Sequence, residues 1–215
     1  MILQSMKFNF ILATVLVAFV ASYQAARAET ALKHEVLFDL SLDIDRDGKM
    51  DHAVLVLVGP GKSGPFEDVY PLDEHERVDL YIYLGAGDAA LDISKPPSVL
   101  KEDIIDRDRR PWVRNLTSNS QGSLLVQSSY GPGSSADYED TITIIDRGGK
   151  FLVAGYRQDW ETRDSMGSCD FNLLSGEATK QDGFVDTPKK PLKGKFKPVA
   201  LAGWSEKTLP KACEN

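Results

Sequence analysis

The chain has few of the residues on which common catalytic and zinc centres are built. Its two cysteines form no C-x-x-C motif, and its three histidines form neither H-E-x-x-H nor another zinc-ligand spacing. A G-x-S-x-G nucleophile elbow is also missing. The sequence therefore predicts no catalytic residues.

Basic residues are fewer than acidic ones, at 25 Lys and Arg against 32 Asp and Glu, for a formal net charge of −7. Nucleic acids and anionic membranes are bound through clustered Lys and Arg. The one basic stretch, Lys189–Lys197, is interrupted by Pro191 and Gly194, which favours a solvated loop. We expect no nucleic-acid partner.

Long apolar runs are absent too. The run from Phe10 to Val20 is shorter than the roughly 20 residues of a membrane span. Lys7 precedes it and Ala26-Arg27-Ala28 follows it, which is typical of a signal peptide cleaved before Glu29. The sequence predicts a signal peptide over 1–28 and a single β-rich exported domain over 29–215. This domain would be periplasmic or secreted, without a membrane span after cleavage.

Losing Lys7 and Arg27 with that segment takes the formal charge from −7 to −9. Both cysteines, Cys169 and Cys213, remain in the exported part. An even count in an oxidising compartment predicts one disulfide between them. A redox role is the alternative, which the missing C-x-x-C motif disfavours.

No sustained helical period occurs, whereas several short segments have the composition of strands, and 78–84 also alternates apolar and polar residues. The clearest are 78–84, 123–130 and the hairpin of 141–145 with 151–156. Leu91 and Ile93 suggest a short return strand, Gly131–Asp140 a loop ending in acids, and Trp160 the centre of a polar bend. We predict an all-β fold, mainly an antiparallel sheet or sandwich or a partial propeller, with few short helical turns.

One loop has the composition of a cation site. Its aspartates, at positions one, three, five and nine, and the Gly48 turn at position six suit calcium, which takes roughly six to eight oxygens. We expect one structural calcium ion, with the Lys49 carbonyl as a further ligand; magnesium prefers fewer carboxylates. The predicted carboxylate ligands are Asp43, Asp45, Asp47 and Asp51.

Position twelve of this loop is Val54, and apolar strand-like segments flank it, so it is not an EF-hand. It resembles the strand–loop–strand calcium loop of FG-GAP and VCBS-type repeats, with the pattern D-x-[DN]-x-[DN]-G-x-x-D. A single copy is present. The resemblance implies an ion-stapled hairpin inside another β fold.

The segment Leu124–Lys180 resembles the C-terminal half of uncharacterised exported proteobacterial proteins. The shared features are Ser134-Ser135-Ala136-Asp137, Tyr156-Arg157 and the Asn172–Gly176 turn. This resemblance implies a common fold and supplies no activity.

The predicted function is that of an exported, non-enzymatic, calcium-stabilised binding or structural module whose partner is an unknown protein, peptide or glycan. Aromatic residues could line a binding groove: Trp112, Tyr130, Tyr138, Tyr156 and Trp160. The alternative is an envelope hydrolase that pairs loop carboxylates, Asp137 or Glu139 with Asp159 or Glu161.

Overall fold

The structure is a computed structural model that describes residues 32–60, 72, 75–87, 90–106, 111–131, 136–184 and 186–208. From Lys33 onward, the described residues belong to one compact unit. The predicted signal peptide lies outside the described residues, and so does Cys213. The signal peptide and the Cys169–Cys213 disulfide therefore remain predictions.

Four antiparallel strands form the first sheet, in the order β1-β2-β3-β4. They are β1 (Lys33–Leu42), β2 (Asp51–Gly59), β3 (Arg77–Tyr83) and β4 (Val99–Lys101). Every residue of β2 is buried, because this central strand packs on both faces. Its run of β-branched and leucine side chains is the sequence signal for that position.

The second sheet is larger and also antiparallel, in the order β11-β10-β9-β8-β7-β6-β5, with β12 beside the start of β8. Its strands are β5 (Trp112–Ser118), β6 (Leu124–Tyr130), β7 (Ala136–Asp146), β8 (Phe151–Thr162), β9 (Met166–Asn172), β10 (Glu177–Asp182), β11 (Lys190–Pro191) and β12 (Val199–Ala200). Short 3₁₀ turns cover Leu201–Gly203 and Glu206–Thr208. The predicted all-β class is confirmed.

Both sheets contribute to one apolar core. Leu55 and Leu80 from the first sheet share it with Val126, Ile142 and others from the second. The opposite face of the first sheet carries a separate buried cluster: Val54, Val56, Val58, Tyr81 and Tyr83. The arrangement is that of a two-sheet sandwich.

Three local predictions are wrong. Leu91 and Ile93 form no strand; the return strand is β4, which follows Pro96-Pro97. The acids after the Gly/Ser-rich segment lie within β7, and Trp160 lies within the continuous strand β8. Asp137 and Glu139 project from the exposed face of the sheet and Asp140 from its buried face, so pairing with the neighbouring strands outweighs the low strand propensity of these acids.

Candidate functional site

The loop between β1 and β2 gathers three carboxylates. One ligand oxygen each from Asp43, Asp45 and Asp51 lies within 4.8 Å of the others. Asp43 and Asp45 are half-buried, and Asp51 is completely buried. Asp51 is the first residue of β2, so the loop carboxylates converge on the start of a fixed strand.

Backbone amides hold this loop in a curl. The Gly48 amide donates to Asp43 Oδ2 over 3.0 Å, and the Asp47 amide donates to Asp45 Oδ1 over 3.1 Å. Arg46 and Gly48 both have left-handed backbone angles, with φ of 63° and 86°. Glycine adopts such angles without steric cost, which explains Gly48 at the turn.

Asp51 is fixed from two sides. The Ile44 amide donates to its Oδ2 over 2.9 Å, and the Gly85 amide donates to its Oδ1 over 2.7 Å. The carboxylate thus joins the loop to the turn that follows β3. Two amide donors offset part of the cost of burying an ionised carboxylate.

Asp47 and Lys49 pair with each other instead of joining the cluster. Lys49 Nζ lies 2.8 Å from Asp47 Oδ2, and the Lys49 amide donates to Asp47 Oδ1. The Lys49 side chain lowers the pKa of Asp47, and Asp47 raises the pKa of Lys49. Three of the four predicted carboxylates are therefore brought together; a role for Asp47 and Lys49 as ligands stays a prediction.

One oxygen of the cluster has no polar partner. Asp43 Oδ1 is buried and accepts no hydrogen bond from any described residue. A buried acceptor left without a donor costs roughly 1–3 kcal/mol. A cation among the three carboxylates would satisfy this oxygen, so the residues present fit a hard metal ion.

His52 supports the loop from the adjacent position on β2. Its Nδ1 lies 2.9 Å from Asp39 Oδ1 on β1, and its Nε2 lies 3.0 Å from the Gly87 carbonyl. The Gly87 amide donates to the Met50 carbonyl over 2.9 Å. These contacts place His52 in a supporting position between β1 and the turn after β3.

The four acids of the hydrolase alternative share one face of the second sheet. Asp137 lies opposite Glu161, and Glu139 lies opposite Asp159, on β7 and β8. All four line a cleft of about 580 Å³. Arg157 donates to both oxygens of Asp159 over 2.6 Å, so this carboxylate is held in an ion pair.

The predicted aromatic residues lie in different surroundings in the described part of the chain. Tyr130 and Tyr138 stack on each other with centroids 4.7 Å apart, and Tyr156 is buried in the core. The Arg114 guanidinium lies over Trp112 at 5.4 Å. Trp160 alone of this set lines the cleft.

Sequence reasoning missed a buried polar network on the core side of the second sheet. Gln158 Nε2 donates to Asp140 Oδ1 over 2.8 Å and also lies within hydrogen-bond distance of the Tyr130 and Tyr156 hydroxyls. Asp140 is 2% exposed. Strand alternation could have predicted that Asp140 is buried, because Asp140 lies two and four residues before Ile142 and Ile144 and so faces the same side of the sheet.

No protein-family model, curated protein or solved structure matches this chain. Within the described part of the chain, no helix is long and apolar enough to cross a membrane.

Proposed function

We propose that the Asp43–Asp51 loop binds one calcium ion that stabilises the β1–β2 hairpin, and that the protein is an exported, non-enzymatic binding or structural module. The observation that carries the proposal is the convergence of Asp43, Asp45 and Asp51 within 4.8 Å. Carboxylates this close repel one another unless a cation lies among them.

Neither basic side chain of the loop forms an ion pair with the three clustered carboxylates, although the charges of Asp45 and Asp51 help Asp47 to raise the pKa of Lys49. Lys49 pairs with Asp47, and Arg46 donates to the Gln121 carbonyl over 2.6 Å. The unsatisfied, buried Asp43 Oδ1 also favours an ion in this position. Calcium suits an all-oxygen, carboxylate-rich loop better than magnesium, which keeps several waters.

The proposed role of the ion is structural. Asp51 accepts amides from the loop and from the turn after β3, so an ion at Asp51 would brace both segments. The resemblance to FG-GAP and VCBS-type loops supports the same role. The signal-like segment 1–28 and the Cys169–Cys213 pair support export to the periplasm or beyond, where calcium and disulfides persist.

No observation favours the hydrolase alternative. A general acid and a general base need carboxylates in contrasting environments. In the cleft, Arg157 already binds both oxygens of Asp159. Its neighbours Asp137, Glu139 and Glu161 are exposed.

The test is thermal unfolding of the purified protein in chelator and in excess calcium. Calcium at about 100 times its Kd should stabilise the folded state by about 2.7 kcal/mol, because it binds only the folded loop. The Asp45→Asn variant should lose this calcium-dependent rise in Tm.

Asp186→Asn is the matched control, since it removes the same charge from an exposed site outside the loop. It should keep the full calcium response. An unchanged Tm in calcium for the unmodified protein, with normal folding in chelator, would overturn the calcium proposal.

A further inference from the structure

We infer that calcium in the β1–β2 loop regulates how firmly the two sheets are held together, through the side chain of Arg46. This coupling rests on the calcium site proposed above and adds a connection from that site to the second sheet. Its basis is one hydrogen bond, in which the Arg46 guanidinium donates to the Gln121 carbonyl over 2.6 Å. Arg46 belongs to a loop of the first sheet, and Gln121 belongs to the turn between β5 and β6 of the second.

The direction of Arg46 is set by the two aspartates that flank it. Its φ of 63° is left-handed, a backbone angle that a residue with a Cβ adopts only at a cost. The Asp47 amide donates to Asp45 Oδ1 over 3.1 Å, which closes a tight turn around Arg46. The backbone conformation that brings Asp45 into the carboxylate cluster therefore also points Arg46, its neighbour, toward the second sheet.

The charge of the loop makes this conformation depend on a cation. Asp43, Asp45 and Asp51 bring ligand oxygens within 4.8 Å of one another. With Asp47, the loop has four carboxylates against two basic side chains, so one divalent cation neutralises its formal charge. Without a cation, repulsion between the carboxylates favours a wider loop. A bound cation favours the narrow loop, and with it the contact that Arg46 makes.

The β5–β6 turn, residues 119–123, is ordered by hydrogen bonds of its own. Asn119 Oδ1 accepts the amides of Gln121 and Ser123, each over 3.0 Å. The Gly122 amide donates to the Asn119 carbonyl over 2.9 Å. These bonds hold the Gln121 carbonyl in one direction. Because a hydrogen bond from a charged guanidinium is stronger than one between neutral groups, the Arg46 contact adds stability to a turn that is already formed.

The β9–β10 turn, residues 172–176, has the same construction in the same sheet. Asn172 Oδ1 accepts the amides of Leu174 and Ser175, each over 3.1 Å, and the Gly176 amide donates to the Asn172 carbonyl over 2.9 Å. Among the described residues, no hydrogen bond joins this turn to the β1–β2 loop. The β9–β10 turn is therefore an internal control for the effect of calcium on the β5–β6 turn.

The experiment is amide hydrogen exchange of the purified protein, followed residue by residue by NMR, in chelator and in saturating calcium. Amides of the β5–β6 turn should exchange at least about threefold more slowly in calcium, because the Arg46 contact opposes local opening of the turn. Amides of the β9–β10 turn should show no such slowing. Arg46→Gln should remove the difference between the two turns and still bind calcium, since the Arg46 side chain is directed to Gln121 and not to the ion site.

Arg163→Gln is the charge-matched control, because Arg163 is exposed in the turn after β8. This variant should keep the slower exchange of the β5–β6 turn in calcium. Thermal unfolding in chelator, measured alongside, shows whether both variants are folded. The comparison of the two turns in the unmodified protein tests the coupling even if Arg46→Gln does not fold.

Titration calorimetry with calcium on the same samples lets the two proposals fail separately. Absence of calcium binding would overturn the calcium site and the coupling together. Calcium binding with equal slowing in the two turns would overturn the coupling alone. Slower exchange of the β5–β6 turn that persists in folded Arg46→Gln would also overturn it.

Discussion

Among the described residues, Tyr156 is the most buried tyrosine of the folded protein. It is 3% exposed, and its hydroxyl lies 3.2 Å from Gln158 Nε2. Burial raises the pKa of the Tyr156 phenol far above its ordinary value of 10.0, and the charges of Asp140 on β7 and Glu206 in the tail add to this. The folded protein therefore retains a proton that the unfolded chain releases above about pH 10.

We expect the free energy of unfolding to fall above about pH 10, with Tyr156 contributing up to about 1.4 kcal/mol per pH unit. The stability that the protonated Tyr156 phenol contributes is fully present below the pKa of this tyrosine in the unfolded chain, and it is lost as the pH rises above that pKa. Tyr156→Phe should reduce the slope by that amount, while costing about 1 kcal/mol at neutral pH for the lost hydrogen bond. Urea unfolding from about pH 8 to about pH 11 measures both effects.

Tyr138→Phe is the control, because Tyr138 is only half-buried and stacks on Tyr130. A decrease of the slope in Tyr156→Phe that exceeds any decrease in Tyr138→Phe assigns the effect to the buried phenol. Identical slopes for Tyr156→Phe and the unmodified protein would contradict the prediction.

At the scale of the element, the β1–β2 hairpin depends on the conformation of its loop. Gly48 has a φ of 86°, and a Cβ added there would meet no atom within 4 Å. The requirement for glycine is thus conformational and not a matter of space. The loop amides that bind Asp43 and Asp45 are oriented only while this turn is kept.

Gly48→Ala should destabilise the protein by about 1–2 kcal/mol, the cost of left-handed backbone for a residue with Cβ. Gly203→Ala is the matched control, since a Cβ at Gly203 also meets nothing within 4 Å and its φ is not left-handed. We expect it to change stability by less than about 0.5 kcal/mol. Urea unfolding in chelator measures the effect of the backbone conformation without a contribution from bound calcium. Equal losses of stability in Gly48→Ala and Gly203→Ala would contradict this prediction.

At the scale of the molecule, the two sheets are joined by their common core and by contacts at their margins. Arg46 in the β1–β2 loop donates to the Gln121 carbonyl between β5 and β6. The buried Cys169 on β9 is the described half of the predicted disulfide. If it pairs with Cys213, the crosslink closes a long chain segment and restricts the unfolded ensemble.

We therefore expect Cys213→Ser to lower the free energy of unfolding by about 3–4 kcal/mol. Thiol titration of the denatured, unreduced protein should find no free thiol, and a reducing agent should not destabilise Cys213→Ser further. Two reactive thiols in the unmodified protein would show that the disulfide is absent.

The sequence alone determined the features that depend on neighbours along the chain. Alternation identified β3, because side chains on a strand alternate between faces. Short apolar runs bounded by turn residues identified β2, β6 and the β7–β8 hairpin. Gly48 was identified as the turn residue from its position among the aspartates. Their spacing also predicted that Asp43, Asp45, Asp47 and Asp51 would converge, but the sequence did not predict that Asp47 would pair with Lys49 instead.

Only the tertiary structure decided which distant residues share a surface. The register between β7, β8, β9 and β10 aligns Glu139, Asp159, Ser168 and Gln181 in one row across the sheet. It also turns Asp140 toward the core while Asp137 and Glu139 face the cleft. Spacing along the chain cannot predict this, because pairing between strands depends on the packing of the whole sheet and a one-residue slip reverses every face.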